Sequence, residues 1–169
     1  MFSVVVNLDN KNDDEIIELL YKIFKNDFVE SRTYLSEQIY IDPMSDDIEV
    51  TINKEKIFWH VISRKDRGIR RIDKPRACRI NWIKPIILNH ENSRIKYFYH
   101  YEDNHKIRLY LWAFNDNFAV ILQKIGTTNS SYVVTSFYID NQNKRDAFQR
   151  KLESYSNKSD NRLENCEWF

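Results

Sequence analysis

One pattern occurs four times in succession between residues 95 and 139, and it limits the fold more than any other feature. Apolar and polar side chains alternate through the segments IKYFYHYE, KIRLYLWAF, NFAVILQKI and SYVVTSFYI, which are separated by DNH, ND and GTTNS. Alternation with a period of two is typical of strands, and separators of two to five residues are typical of hairpin loops. The region therefore predicts four consecutive antiparallel strands.

Helices are predicted on both sides of this meander. Asn12 or Asp13 is expected to cap a helix that runs to about Val29. After the meander, the segment KRDAFQRKLESY predicts an amphipathic helix with Phe148, Leu152 and Tyr155 directed inward. The middle strands carry large apolar groups on both faces, so helices are expected to cover one face. The sequence thus predicts an α+β fold, with N-terminal helices, an antiparallel meander of about four to five strands and a C-terminal helix.

At 169 residues, the chain is expected to form a single domain over 1–169. Its three parts are an acidic helical part at 1–53, a sheet core at 54–156 and a polar tail at 157–169. Several shorter elements are predicted in the first half. They are a strand at 3–8, a helical piece at 31–38, a hairpin that pairs 48–52 with 56–63, a loop at 64–75, a short helix opened by Pro75, and a break or kink at Pro85.

Composition excludes several classes of protein. No apolar run approaches the roughly 20 residues that span a bilayer, and the N-terminus lacks the features of a signal peptide, so no membrane partner and a cytoplasmic location are expected. Two cysteines do not make a disulfide framework, and two glycines do not supply a phosphate-binding Gly loop. The chain has no HExxH motif, no paired CxxC motif and no G-x-S-x-G motif. Neither a metal nor a cofactor is expected.

Charge is distributed very unevenly along the chain. Residues 1–53 contain four Lys/Arg against twelve Asp/Glu, a net charge of −8, and residues 54–90 contain eleven against three, a net charge of +8. A concentrated basic stretch is what a phosphate-binding surface requires. Two readings stay open at this point: the basic stretch binds nucleic acid, or the acidic and basic segments pack against each other or are separately solvated.

His60 stands in the stretch IFWHVISRKD. If residues 56–63 form a strand, His60 shares one face with Phe58, and Arg64 continues that face about 13 Å away. Imidazole is the side chain best suited to proton transfer near neutral pH. The residues alone leave open the alternative of a core histidine whose ring is hydrogen-bonded.

Other polar side chains are candidates for the same site. Arg76 and Arg79 are three residues apart, which places both on one side of a helical turn, and each guanidinium matches phosphate oxygens. Lys124 ends an otherwise apolar strand, and Thr135 and Tyr138 bring hydroxyl groups into the last strand. Each also has an ordinary explanation, as a surface arginine pair, a strand-end lysine or a β-branched residue in a sheet.

Four blocks taken together resemble one family. IFWHVISRKD, PRACRINWIKPIILN, IRLYLWAFNDNFAVILQK and YVVTSFYIDNQNKR follow each other as in phage-borne nuclease-like domains of the superfamily that groups barnase, EndoU, colicin-type tRNases and RelE. The resemblance covers residues 55–150. It implies an antiparallel sheet preceded by helices, and metal-independent RNA cleavage in which the ribose 2′-OH attacks the neighbouring phosphate to leave a 2′,3′-cyclic phosphate.

The resemblance also implies roles for individual residues. His60 matches the family's histidine, and Arg64, or one of Arg76 and Arg79, matches its arginine. Thr135 matches the threonine or serine of the last strand. The aromatic residue two positions later is Phe137 in this chain, so Tyr138 supplies a phenolic hydroxyl only if the strand is bulged.

These assignments predict a ribonuclease with His60, Arg64, Thr135 and Tyr138 as catalytic residues. Arg76, Arg79 and Lys124 are then the substrate-binding residues. The expected setting is a phage-associated toxin or defence effector that acts on RNA, such as tRNA or mRNA, and that is controlled by an inhibitor or antitoxin protein. Residues 1–53 are expected to mask the basic stretch, as an inhibitor would. The alternatives are a non-catalytic RNA- or protein-binding module of the same fold, and a plain interaction module in which the acidic segment docks onto a basic partner.

Overall fold

The computed structural model describes residues 2–169 and confirms the α+β class. The strands, numbered β1 to β10 along the chain, are Tyr34–Leu35, Ile39–Ile41, Ile48–Glu49, Lys54–Glu55, Ser63–Asp66, Ile69–Ile72, Ile95–Tyr101, Ile107–Ala113, Phe118–Lys124 and Ser130–Tyr138. The α-helices, numbered α1 to α5, are Asp13–Phe24, Lys56–Ile62, Lys74–Ala77, Ile80–Leu88 and Gln142–Ser156. A π-helical turn at Lys25–Val29 extends α1, and a 3₁₀ turn at Asn161–Leu163 follows α5.

The main sheet has six strands in the order β1-β2-β10-β9-β8-β7. The four strands of the predicted meander are β7 to β10, and each is antiparallel to the next. The β1–β2 hairpin adds to the β10 edge, where β2 runs parallel to β10. The sheet is therefore mixed and wider than the predicted meander, because residues of the N-terminal part contribute two of its strands.

The first and last helices have the predicted places. Asn12 is the N-cap of α1, and it forms a capping box with Glu15, whose backbone N–H donates to the Asn12 side chain at 2.9 Å. The helical path ends at Val29, as predicted. Helix α5 directs Phe148, Leu152 and Tyr155 onto one face of the sheet. Helices α1, α2 and α4 contribute to the hydrophobic cluster on the other face, so helices cover both faces rather than one.

Apart from the hairpin at 48–63, four predictions for the first half are wrong. Residues 3–8 form no strand, because the Ser3 and Val4 carbonyls accept from side chains of α4 rather than from a neighbouring strand. Residues 31–38 contain strand β1 instead of a helical piece. The 64–75 segment contains the β5–β6 hairpin instead of a loop. The predicted break at Pro85 does not occur, because Pro85 lies inside α4 without ending it; its missing N–H removes one helical hydrogen bond, to residue 81.

The predicted hairpin between 48–52 and 56–63 is wrong. Within this segment, β3 pairs with β4, and Lys56–Ile62, which contains His60, forms α2. Five of the seven residues in α2 are buried, so apolar side chains occur on almost every side of the helix and no helical period is visible in the sequence. Helix α2 packs against β10. Among residues 2–169, no helix has both the length and the apolar composition needed to cross a membrane.

Candidate nucleic-acid site

His60 lies on α2 and faces away from the hydrophobic cluster. Its side chain is half-buried, whereas Trp59 and Val61 on either side are buried. The predicted strand face shared with Phe58 is wrong, because a helix rather than a strand sets the direction of each side chain. His60 lines a shallow groove of about 300 Å³, here called the His60 groove, whose other lining residues are Arg64, Lys65, Arg70, Arg76, Val134, Thr135 and Phe137.

The surroundings of His60 favour a neutral imidazole. Burial lowers the pKa of His60, and the positive charge of Arg70 lowers it further, while the carboxylates of Glu49 and Asp47 partly oppose both effects. No residue in the described part of the chain hydrogen-bonds its ring. This environment differs from that of a core histidine with a hydrogen-bonded ring, and it leaves a neutral imidazole free to accept a proton near pH 7.

Arg76 and Thr135 hold the backbone of His60. Arg76 is only 7% exposed, and its Nη1 donates to the carbonyl oxygen of Ser63 at 2.6 Å and to that of His60 at 3.3 Å. Thr135 Oγ1 also donates to the His60 carbonyl, at 3.2 Å, and accepts from Arg76 Nη1 at 3.4 Å. These two side chains therefore fix the C-terminal end of α2 and position His60.

Arg64 and Arg79 have different environments. Arg64 is exposed on β5, and its Nε lies 3.9 Å from Asp73 Oδ2. The Arg79 guanidinium lies over the ring of Tyr138 at 4.0 Å and over that of Trp82 at 5.1 Å, and Arg79 does not line the His60 groove. The prediction that Arg76 and Arg79 share one side is wrong, because α3 ends between them and α4 begins after Arg79.

A β-bulge in β10 decides which hydroxyl groups face the site. Val133 pairs with Leu122 and Thr135 pairs with Ile121, so Val134 is the extra residue. The bulge precedes Thr135, so regular alternation follows it: Thr135 faces the α5 side, and Ser136 on the other side donates to the Val61 carbonyl at 3.2 Å. This bulge does not place the Tyr138 side chain on the Thr135 face, as a substitute for the missing tyrosine hydroxyl would require.

Lys124 is not part of this site. It pairs with Ser131 at the far end of β9, three residues from Ile121, which corresponds to about 10 Å along a strand. It lines neither the His60 groove nor the larger cleft beside it. The structure thus brings His60, Arg64, Arg76 and Thr135 together, and it leaves Arg79 and Lys124 outside the groove.

A larger cleft of about 730 Å³, here called the α5 cleft, continues from the His60 groove. The two share four lining residues, Arg64, Arg76, Thr135 and Phe137. Tyr138 lines the α5 cleft, and its basic lining residues are Arg64, Lys74, Arg76, Arg108, Lys144 and Lys151. The acidic ones are Asp73, Glu102 and Asp140. With Lys65 and Arg70 of the groove, eight cations face three carboxylates along one continuous depression, so its potential is positive.

One polar cluster in the α5 cleft was not predicted. The Tyr110 hydroxyl donates to Glu102 Oε1 and accepts from Lys151 Nζ at 2.8 Å, and Lys151 Nζ lies 3.9 Å from Glu102 Oε2. Burial raises the pKa of Tyr110 and lowers the pKa of Lys151. Lys151 lies 41 residues from Tyr110 in the sequence, and only the packing of α5 onto β8 brings them together. No local sequence motif marks such a cluster.

Within residues 2–169, no group of three or more His, Cys, Asp and Glu residues is arranged to hold a metal ion. Comparison of the chain with protein-family models, with curated proteins and with solved structures found no match. The fold and the site define an α+β protein with a basic, histidine-containing groove on its surface. The resemblance to the nuclease superfamily stays a prediction.

Proposed function

We propose that the protein is a metal-independent endoribonuclease that binds RNA along the His60 groove. The observation that carries this proposal is the half-buried imidazole of His60, free of hydrogen bonds to its ring and placed beside Arg64, Lys65 and Arg70. Transesterification of RNA needs a base for the 2′-OH and cations for the charge that develops on the phosphate oxygens, and a metal ion is not required. The His60 groove supplies both kinds of group.

In the proposed reaction, neutral His60 accepts the proton of a ribose 2′-OH. The 2′-oxygen then bonds to phosphorus, the bond from phosphorus to the 5′-oxygen breaks, and the departing oxygen takes up a proton from solvent. Arg64 and Arg70 stabilise the negative charge on the phosphate oxygens. Thr135 and Arg76 act as positioning residues in this scheme, because both bind the backbone carbonyl of His60. The setting that we propose, a phage-associated toxin or defence effector with a protein inhibitor in the cytoplasm, follows from the sequence resemblance alone.

The test of this proposal is cleavage of total RNA in the presence of EDTA. Wild-type protein is expected to produce fragments that end in 2′,3′-cyclic phosphates, because the ribose 2′-oxygen is the nucleophile. His60→Ala protein purified in the same way controls for contaminating nucleases. Fragments with 3′-hydroxyl ends, or equal cleavage by both proteins, would contradict the proposed mechanism.

A second candidate function is RNA binding without cleavage. Two observations favour it. Arg76 and Thr135 donate to backbone carbonyls instead of pointing free into the groove, and position 137 is a phenylalanine where the resembling family has a tyrosine. Binding through phosphates weakens steeply as salt rises, whether or not the RNA is cleaved. Salt-dependent binding of intact RNA in EDTA would therefore identify a binding module, and absence of binding at low salt would favour an interaction module for another protein.

The acidic N-terminal part contributes ion pairs to the basic stretch. Lys54 pairs with Glu18 at 2.7 Å and Lys56 pairs with Asp47 at 2.7 Å, while Glu49 acts electrostatically on both His60 and Arg70. Residues from 8 to 41 also fill the hydrophobic cluster, so a truncation at residue 53 would remove part of the core and two strands of the sheet. Single substitutions are therefore the appropriate test of masking.

Glu49→Gln is expected to raise RNA affinity about twofold at low salt, since it removes one carboxylate near the His60 groove. The measurement is fluorescence anisotropy of a labelled RNA at low and at physiological salt, where screening should reduce the difference. Glu91→Gln makes the same charge change at an exposed position that does not line the groove. Equal affinities of the two variants would remove the masking hypothesis.

A further inference from the structure

We infer that the α5 cleft binds one unpaired nucleobase of a single-stranded RNA, while the neighbouring phosphates lie in the His60 groove. This inference rests on the proposed function, and it adds the form of the substrate and a second part of the site. At about 730 Å³, the cleft has the size of a small-molecule site, and it shares a wall with the groove through Arg64, Arg76, Thr135 and Phe137.

Aromatic rings of Tyr110, Phe137 and Phe148 line the cleft and pack against one another edge to face. The Phe148 ring is nearly perpendicular to that of Phe137, at 79°, and to that of Tyr110, at 76°, with centroid distances of 6.3 and 5.5 Å. Phe137 and Phe148 are only partly buried, although both lie in an otherwise apolar cluster. The Arg76 guanidinium lies over one face of the Phe137 ring. Every base has a flat apolar face, which can pack against the parts of Phe137 and Phe148 that remain exposed.

The polar groups of the cleft suit the edge of a base. Glu102 offers carboxylate oxygens as acceptors, and Lys151 offers ammonium protons as donors, and the Tyr110 hydroxyl lies between them. Each base edge carries donors and acceptors side by side, and an edge is accessible to protein groups when the base is unpaired. An alkyl chain in this position would instead cover charged groups without hydrogen-bonding them, which is unfavourable. The cleft therefore fits a nucleobase better than a lipid or an apolar side chain.

The cations around the cleft connect it with the groove. Arg64 lines both, and Lys74 lines the cleft without forming an ion pair to any residue of the described chain. A strand whose base enters the cleft can place its adjacent phosphates against these two cations and then continue past His60. A base inside a duplex is stacked and paired, and it would have to leave the helix before it could enter. The site is therefore expected to select single-stranded RNA.

The test uses the full chain with His60→Ala, in EDTA, so that bound RNA stays intact. A short single-stranded RNA with 2-aminopurine at one internal position serves as the probe, because stacking on aromatic rings quenches its fluorescence. Ala147, which lines the cleft from α5, is replaced by tryptophan to fill it, and Gln149→Trp adds the same ring on α5 outside the cleft. The probe should be quenched by the Gln149→Trp protein. The Ala147→Trp protein should give no quenching and bind at least about fivefold more weakly, because it loses the stacking of one base.

Each outcome separates this inference from the proposed function. Equal binding and quenching by the two tryptophan variants would overturn the base site, even if wild-type protein cleaves RNA. Loss of quenching in Ala147→Trp alone would support the base site, even if wild-type protein cleaves nothing. A duplex probe that is quenched as strongly as the single strand would also overturn it. If Ala147→Trp fails to fold, as judged by circular dichroism, Ala147→Leu fills less of the cleft and should weaken binding in the same direction.

Discussion

Arg76→Leu is expected to lower the free energy of unfolding by about 3 kcal/mol, because leucine cannot donate to the buried groups that Arg76 now binds. The substitution leaves the carbonyl oxygens of Ser63 and His60 without the charged donor that now binds them at 2.6 and 3.3 Å. It also removes the positive charge beside Asp73, whose Oδ2 lies 3.7 Å from Arg76 Nε, and the guanidinium above the Phe137 ring. Leucine keeps most of the buried volume, so the loss measures the polar contacts more than a cavity.

Equilibrium unfolding in urea, followed by tryptophan fluorescence, measures this change. Arg71→Leu is the matched control, since Arg71 lies on β6 with an exposed side chain, and it should change stability by no more than about 0.5 kcal/mol. A loss below about 1 kcal/mol for Arg76→Leu would show that water or a shifted side chain satisfies the two carbonyls. In that case Arg76 would not be the group that positions His60.

The parts of the fold that the sequence predicts well are those whose period is visible. Strands β7 to β10 alternate over seven to nine residues with short separators, and α1 begins at a capping box, so local signals and tertiary packing agree. Helix α2 has no such signal, because five of its seven residues are buried and the seven-residue segment is compatible with a strand. The β5–β6 hairpin is exposed and charged, and a sequence of that composition is typical of a loop.

Some of the candidate site residues lie together in the structure, for a reason that does not depend on their secondary structure. Side-chain chemistry and the family resemblance point to His60, Arg64 and Thr135, and these residues line one groove although His60 is on a helix. Arg79 is predicted from its spacing to Arg76, and this spacing fails because a helix ends between the two residues. Lys124 is predicted from its place at a strand end, and the strand carries it away from the groove. The cluster of Glu102, Tyr110 and Lys151 depends on tertiary packing alone.

The largest expected effect on activity follows from His60. If neutral His60 accepts the 2′-OH proton, His60→Ala should lower kcat/KM for RNA cleavage by about a hundredfold to ten-thousandfold, the usual contribution of one general base. The control is His105→Asn, at an exposed turn between β7 and β8 where φ is 62°, a value that asparagine tolerates well. The His105 variant should cleave like wild type. Equal loss in both variants would indicate a general effect on folding instead of a role for His60.

The pH dependence gives a separate measure of the same group. A base works only when deprotonated, so activity should fall as pH decreases through the pKa of His60, and burial together with Arg70 places that pKa below the ordinary histidine value. Arg70→Gln removes the second cause and leaves the burial, so the acidic limb of the kcat/KM profile should move to higher pH, toward the ordinary value. Arg71→Gln removes the same charge from an exposed position on the same strand that does not line the groove, and should leave the limb in place. An acidic limb that moves equally in both variants would mean that the shift follows the total charge of the protein and not the proximity of Arg70 to His60. One that moves in neither would mean that the titrating base is not His60.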